Sequence, residues 1–265
     1  WVQGETLYKW VGARCREGSR EALAGAAARW IEVVADLEDA GIAHGDLQHA
    51  NVMVTPAGDL KLVDYDGMCV PALVGRRNLE VGNRPYQHPD RNEQTLLSLH
   101  LDRFSAMVIY VALKALAADP GLWMTYVETP QHDKLLFRDD DLVSPEASRL
   151  VGDLMRSSDA DVRDLAEQLV QFARMTMDRL PPLRDSTHPS FTRIEGLLRA
   201  EQWEAAVELL NRRGKFRDAP AHLKPLIQEA YRFVCRRDAW KAFSSLPREI
   251  GEKHDRALVK AWNEP

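Results

Sequence analysis

Asp46, Asn51 and Asp64 are three oxygen-bearing side chains at spacings of 5 and 13. They stand in the segments His44-Gly45-Asp46-Leu47-Gln48-His49-Ala50-Asn51 and Val63-Asp64-Tyr65-Asp66-Gly67. The pattern suits one general base beside two ligands for Mg2+. Magnesium prefers oxygen ligands and keeps part of its shell for water and substrate phosphate, so two or three protein oxygens suffice.

The elements around them must hold the three together. Asn51 to Val54 and Leu60 to Val63 read as short apolar strands, and Thr55-Pro56-Ala57-Gly58-Asp59 between them is turn chemistry. The pair is expected to form an antiparallel hairpin with Asn51 and Asp64 at its neighbouring outer ends. Upstream, Trp1 to Leu7 reads as an extended segment with a turn at Gly4. Arg20 to Ala40 carries Leu23, Ala27, Trp30, Ile31, Val34 and Leu37 at helical spacing, with Gly41 placed to end the helix. Downstream, Met68 to Asn92 is loop-like. Leu101 to Ala118 is apolar on nearly every face, as befits a central helix, and Asp119-Pro120-Gly121 stops it.

Ser144 to Met177 should hold two helices with a break at Ser157-Ser158-Asp159. Pro181-Pro182 and Ser186-Thr187-His188-Pro189 read as a domain boundary. Short amphipathic helices are expected beyond it at Ile194 to Ala200, Trp203 to Leu210, Ala221 to Val234 and Lys253 to Trp262. They have the pattern of helical hairpins without a clean repeat period.

The 265 residues carry a net charge of −5, which argues against a general nucleic-acid binder. From Ser186 onward 15 basic residues meet 11 acidic ones, a local +4, so the first 185 residues carry −9. No apolar run is long enough to span a membrane and no signal peptide is expected. The three cysteines, Cys15, Cys69 and Cys235, form no disulfide framework or CxxC pair, and a reducing cytoplasm is the expected compartment. Cys69 is either a buried thiol or a neighbour of the site.

Taken singly, Asp46, Asn51 and Asp64 are more often turn or capping residues. That reading does not account for a His-x-Asp turn, a hairpin and a second acidic turn together. A metal site through His44, Asp46 and His49 is the weaker alternative, because a fourth zinc ligand is not obvious.

These residues resemble the C-terminal lobe of the eukaryotic-like protein kinase family. Its catalytic loop reads His-Arg-Asp-Leu with Asn five residues after the Asp, and its metal-binding Asp-Phe-Gly follows thirteen residues later. Gly82-Asn83-Arg84-Pro85-Tyr86-Gln87-His88-Pro89-Asp90 looks like the family's Gly-Thr-x-x-Tyr-x-Ala-Pro-Glu segment. Asp102-Arg103-Phe104-Ser105 looks like its Asp-x-Trp-Ser central helix, and Trp1 to Leu7 resembles the hinge between its lobes. The likeness covers about residues 1–180.

The resemblance implies a mainly α fold. A kinase-like C-lobe with one or two short β-hairpins would occupy 1–185, a small helical-hairpin domain would occupy 186–265, and the N-lobe sheet would be absent from this chain. It implies ATP and Mg2+ as cofactors, Asp46 as general base and Asn51 and Asp64 as metal ligands. It implies Tyr65 packed under His44, Asp102 accepting from the catalytic-loop backbone, and Asp90 as a structural residue. The Val2 backbone and Thr6 would lie at the adenine edge, with Met53 and Leu7 below the ring, although Met53 and Leu7 read equally well as plain core.

The departures carry expectations too. Gly45 stands where the family has Arg, so control through an activation-loop phosphate is not expected. Gln48 replaces a Lys that contacts the transferred phosphate, and can donate a hydrogen bond without neutralising charge. Asp66 stands where Gly is expected, as a turn residue or an extra ligand. A chain that starts at the hinge reads as a fragment of a longer Ser/Thr protein kinase, its other lobe supplied in cis or in trans. A pseudokinase scaffold and a small-molecule kinase of the aminoglycoside or choline type are the alternatives. A protein substrate or regulatory partner is expected, with Trp203, Trp240 and Trp262 either anchoring it or packing the helices. No nucleic-acid or membrane partner is expected.

Overall fold

The computed structural model describes residues 2–78, 81–128, 134–183, 191–213 and 222–244, without the side chains of 191–193, 211–213 and 238–244. The chain is mainly helical and divides into two compact units, Trp1–Ser186 and Thr187–Pro265.

The first unit opens with β1 (Glu5–Thr6), α1 (Leu7–Glu17) and α2 (Arg20–Asp39), followed by the hairpin β2 (Val52–Val54) and β3 (Leu60–Leu62). α3 (Arg103–Ala118), α4 (Gly121–Tyr126), α5 (Asp139–Val143), α6 (Arg149–Met155) and α7 (Ala160–Ala173) complete it. The expected extended segment at the start is only partly present, because Leu7 already begins α1. Leu7, Val11 and Cys15 recur every four residues and are buried on one face of that helix, the period that an amphipathic helix requires.

α3 is the central element. Phe104 to Leu113, Ala115 and Leu116 are all buried, as its all-round apolar sequence demands. α2 lies along it, and Trp30 on α2 donates its indole N–H to the Ala106 carbonyl at 2.9 Å. Arg103 at the start of α3 forms a two-pronged pair with Glu38 on α2, at 2.8 and 3.1 Å, and donates to the Leu180 carbonyl at 2.7 Å. Such bidentate geometry fixes orientation as well as charge. The break expected at 157–159 is a helix start: Asp159 accepts from the N–H groups of Asp161 and Val162 and caps α7.

The sheet is three-stranded and antiparallel, in the order β1-β2-β3. Val52 pairs with Leu62, Met53 with Lys61 and Val54 with Leu60, which is the expected hairpin. Thr6 pairs with Met53 on the other side of β2.

The second unit contains α8 (Phe191–Arg199), α9 (Trp203–Arg213) and α10 (Lys224–Ser244). Ile194, Leu198, Ala206, Leu210, Leu223 and Ala230 form its core, with Trp203 packed against them. Trp203 is thus largely a packing residue. The side chain of Trp240, all of Trp262 and the helix expected at Lys253 to Trp262 lie outside the described residues.

Among the described residues no helix is long and apolar enough to cross a membrane.

Candidate functional site

α2 ends at Asp39 with Ala40 as its cap, Gly41 turns the chain at φ +65, and Ala43 pairs with Cys69 through backbone hydrogen bonds of 2.9 and 2.8 Å. Cys69 is therefore a buried thiol, pushed up from its ordinary pKa by desolvation first and by the Asp102 charge second. The bridge delivers His44, Gly45 and Asp46 as a turn.

Asp102 holds that turn. It precedes α3, but its carboxylate points away from its own helix and accepts from the backbone N–H of His44 at 2.5 Å and of Gly45 at 2.9 Å. Burial pushes the Asp102 carboxyl above the usual range, against the pull of the Gly45 and His44 N–H groups and of the Arg91 guanidinium. Arg91 is itself buried and donates to the Gly45 carbonyl at 2.7 Å and to Gln87 Oε1.

Gly45 has φ +85, and a Cβ built there would lie 2.0 Å from the Gly67 carbonyl oxygen. An L side chain has no room and is disfavoured at that φ. The close approach couples the His44-Gly45-Asp46 turn to the turn after β3.

His44 adds a second link between the two turns. Its Nδ1 accepts from the Asp46 N–H at 3.4 Å, so its Nε2 carries the proton donated to the Val63 carbonyl at 3.0 Å. The Tyr65 ring lies 5.6 Å from the His44 ring, centroid to centroid, and donates its hydroxyl to the Leu62 carbonyl at 2.6 Å. Tyr65 is nonetheless 53% exposed, so it leans on the site from outside.

The Asp46 carboxylate accepts three hydrogen bonds. Oδ2 takes Gln48 Nε2 at 2.6 Å and Asn51 Nδ2 at 3.0 Å, and Oδ1 takes the Asn83 N–H at 3.0 Å. Asn51 Nδ2 also donates to the Asp46 carbonyl at 2.9 Å. Asn83 Nδ2 donates to Gln48 Oε1 at 2.9 Å, which closes a ring of Asp46, Gln48 and Asn83. Asn83 was not legible as a site residue. Its only signal was its place in the Gly82 to Asp90 segment.

Asn51 is buried with its amide nitrogen committed to two acceptors, which leaves its amide oxygen as the atom that can face a cation. The hairpin ladder extends one step, with Val63 N–H donating to the Asn51 carbonyl at 3.0 Å. Asn51 and Val63 therefore share a face, and an extended Asp64 would point to the opposite one. Asp64 instead has φ +66, a left-handed conformation that Asp tolerates better than most residues. That conformation ends the strand alternation at Asp64. The Asp64 side chain is exposed and has no hydrogen bond or ion pair among the described residues.

Hard oxygen donors at Asn51 and Asp64 fit Mg2+ better than zinc. The alternative site through His44, Asp46 and His49 is not formed. Both ring nitrogens of His44 are engaged, and His49 Nδ1 takes the Tyr86 hydroxyl at 2.5 Å. No cluster of three His, Cys, Asp or Glu suited to a metal occurs among the described residues. Asp66 is a turn residue, since the Met68 N–H reaches the Tyr65 carbonyl at 3.1 Å across it.

The residues expected around an adenine ring are divided. Val2 is 38% exposed, Thr6 and Met53 are half-buried partners across β1 and β2, and Leu7 is fully buried in the main core. Leu7 is thus a packing residue closed to ligand, because α1 turns it inward. Asp90 does not anchor its segment: its side chain is 74% exposed and lies 3.9 Å from His88. The buried charge there is its neighbour Arg91.

No protein-family model matches the chain, and no curated protein matches it either.

Proposed function

We propose that the first unit is the acceptor-binding and metal-binding half of an ATP- and Mg2+-dependent phosphotransferase of the protein kinase type, acting on Ser or Thr hydroxyls. The observation that carries this reading is the bond from Asn51 Nδ2 to Asp46 Oδ2 at 3.0 Å. It joins a fixed carboxylate to an amide whose oxygen is left for a cation, and the exposed Asp64 follows Val63, the backbone partner of Asn51, at a left-handed position.

A carboxylate has about four lone-pair directions, and three at Asp46 are occupied. The fourth would accept the hydroxyl proton of the acceptor. As that oxygen bonds to the γ-phosphorus, the bond to the β,γ-bridging oxygen breaks, ADP leaves and the proton stays on Asp46. Asn51 and Gln48 hold the carboxylate in place, and Asp102 holds the turn that carries it. Bound Mg2+ would supply charge neutralisation at the phosphates. Gln48 donates to Asp46 but brings no positive charge, so it orients the base without offsetting phosphate charge.

The test is transfer of labelled γ-phosphate from Mg-ATP by the natural full-length protein, to Ser/Thr peptides and, in parallel, to small alcohols. Asp64→Ala and Asp46→Ala should each abolish transfer. Transfer unchanged by Asp64→Ala would overturn the reading, and transfer to small alcohols alone would move the substrate class from protein to small molecule.

A further inference from the structure

Gly45 is the residue of the catalytic turn with the least backbone restraint of its own. Two peptide planes meet at it, one ending in its N–H and one beginning with its carbonyl and leading into Asp46. Each plane is gripped from outside by a buried charged side chain. Asp102 takes the N–H at 2.9 Å, and Arg91 donates to the carbonyl at 2.7 Å. The second plane also contains the Asp46 N–H, which donates to His44 Nδ1. A rotation of that plane would break both contacts and swing the Asp46 carboxylate.

We infer that Arg91 is a positioning residue: by holding the Gly45 carbonyl it fixes the peptide plane that aims Asp46. The guanidinium is seated for this task. Gln87 Oε1 accepts its Nη1, it lies in the field of both Asp102 and Asp46, and Arg84 donates to the Arg91 carbonyl at 3.0 Å. The segment that bears Arg91 touches Asp46 a second time. The Asn83 N–H donates to Oδ1, and a Cβ at Gly82 would lie 2.7 Å from that same oxygen. Residues 82–91 thus set the base from two directions, directly through Asn83 and through the backbone by way of Arg91. A role in catalysis rests on the phosphotransfer reading, whereas the clamp on the backbone does not.

The experiment compares wild type with Arg91→Met and Arg91→Lys in the full chain, by hydrogen exchange at Gly45 and Asp46 and by phosphotransfer kinetics. In Arg91→Met the amides of 45–46 should exchange faster by about ten-fold or more while the helices of the unit keep their protection. The kcat should fall by about ten-fold or more with KM for ATP nearly unchanged, the signature of a lost transition-state alignment. Arg91→Lys, which keeps a cation and a donor, should recover part of both. Should Arg91→Met fail to fold, Gln87→Leu removes the acceptor that seats the guanidinium and should give the same pattern more weakly. Unchanged exchange at 45–46, or exchange raised evenly across the unit, overturns the inference. Local loosening in a protein whose wild type transfers no phosphate upholds the clamp and removes the proposed function instead.

Discussion

The carboxylate of Asp102 accepts the backbone N–H of His44 at 2.5 Å across 58 residues of chain. The bond fastens the start of the central helix to the turn that carries Asp46. It is a buried charge-assisted contact, and its loss strands donors that water does not reach.

Asp102→Ala should therefore be among the most destabilising single changes in the first unit. It orphans the His44 and Gly45 N–H groups and removes the counter-charge of Arg91. Breaking a buried charged contact of this kind costs about 3–5 kcal/mol. For a unit of this size that lowers Tm by roughly 6–20 °C. Asp102→Asn, which keeps one acceptor oxygen, should lose clearly less. Thermal unfolding followed by circular dichroism measures both, and a shift below about 2 °C for Asp102→Ala would contradict the account.

Two glycines at left-handed φ separate backbone strain from steric overlap. Gly18 at φ +67 has open space where a Cβ would go, whereas a Cβ at Gly45, φ +85, meets the Gly67 carbonyl oxygen at 2.0 Å. Gly18→Ala should cost only the left-handed penalty, about 1–2 kcal/mol. Gly45→Ala must in addition push two turns apart. It should destabilise more strongly and expose the Gly67 and Cys69 region to hydrogen exchange. Equal losses in the two variants would show that the turns are not in contact.

The legible parts of this architecture were those governed by local rules. The hairpin from Val52 to Leu62 followed from apolar runs around turn chemistry, α2 from its period, and α3 from an apolar surface that needs burial all round. The partnership of Asp46 with Asn51 was legible as spacing. The reach of Asn83 to Asp46 and of Arg91 to the Gly45 carbonyl was not, because these contacts span 37 and 46 residues of sequence, which no periodicity encodes. Asp90 attracted attention through its motif position, yet a carboxylate is easily left in water and the adjacent guanidinium was the group drawn inside. Leu7 shows the opposite ambiguity. An apolar residue beside a presumed pocket is equally a core residue, and the start of α1 at that point decided for the core.

His88 gives the first unit a predictable sensitivity to acid. It is buried, its Nδ1 accepts the Asp90 N–H at 3.1 Å, and its Nε2–H donates to the Phe172 carbonyl at 3.1 Å, so the ring is neutral. Burial is the largest effect and holds its pKa below the ordinary 6.5, against smaller opposing pulls from the Phe172 carbonyl and Asp90. The unfolded chain then binds the proton more readily than the folded one. Stability from the neutral ring is fully present above about pH 6.5 and is lost as pH falls toward the lower folded value, with a slope approaching about 1.4 kcal/mol per pH unit. Urea unfolding at about pH 7.5 and about pH 5.5 should show a smaller pH difference for His88→Gln than for wild type. An identical difference in both would remove His88 as the cause.

The contact between Gln48 and Asp46 allows the proposed role of Asp46 to be tested. Gln48 Nε2 donates to Asp46 Oδ2 at 2.6 Å. In Gln48→Glu that neutral donor becomes a second carboxylate at contact distance, and two such groups cannot both ionise freely. The pair would hold one proton into a higher pH range, and its apparent pKa values would belong to the pair. If Asp46 is the group that accepts the proton of the acceptor hydroxyl, the acid limb of the kcat/KM profile should move upward in Gln48→Glu. In Gln48→Leu, which adds no charge, the limb should stay near its wild-type position while the rate falls. A pH profile that is the same in Gln48→Glu and Gln48→Leu would mean that the ionisation governing the reaction lies elsewhere than at Asp46.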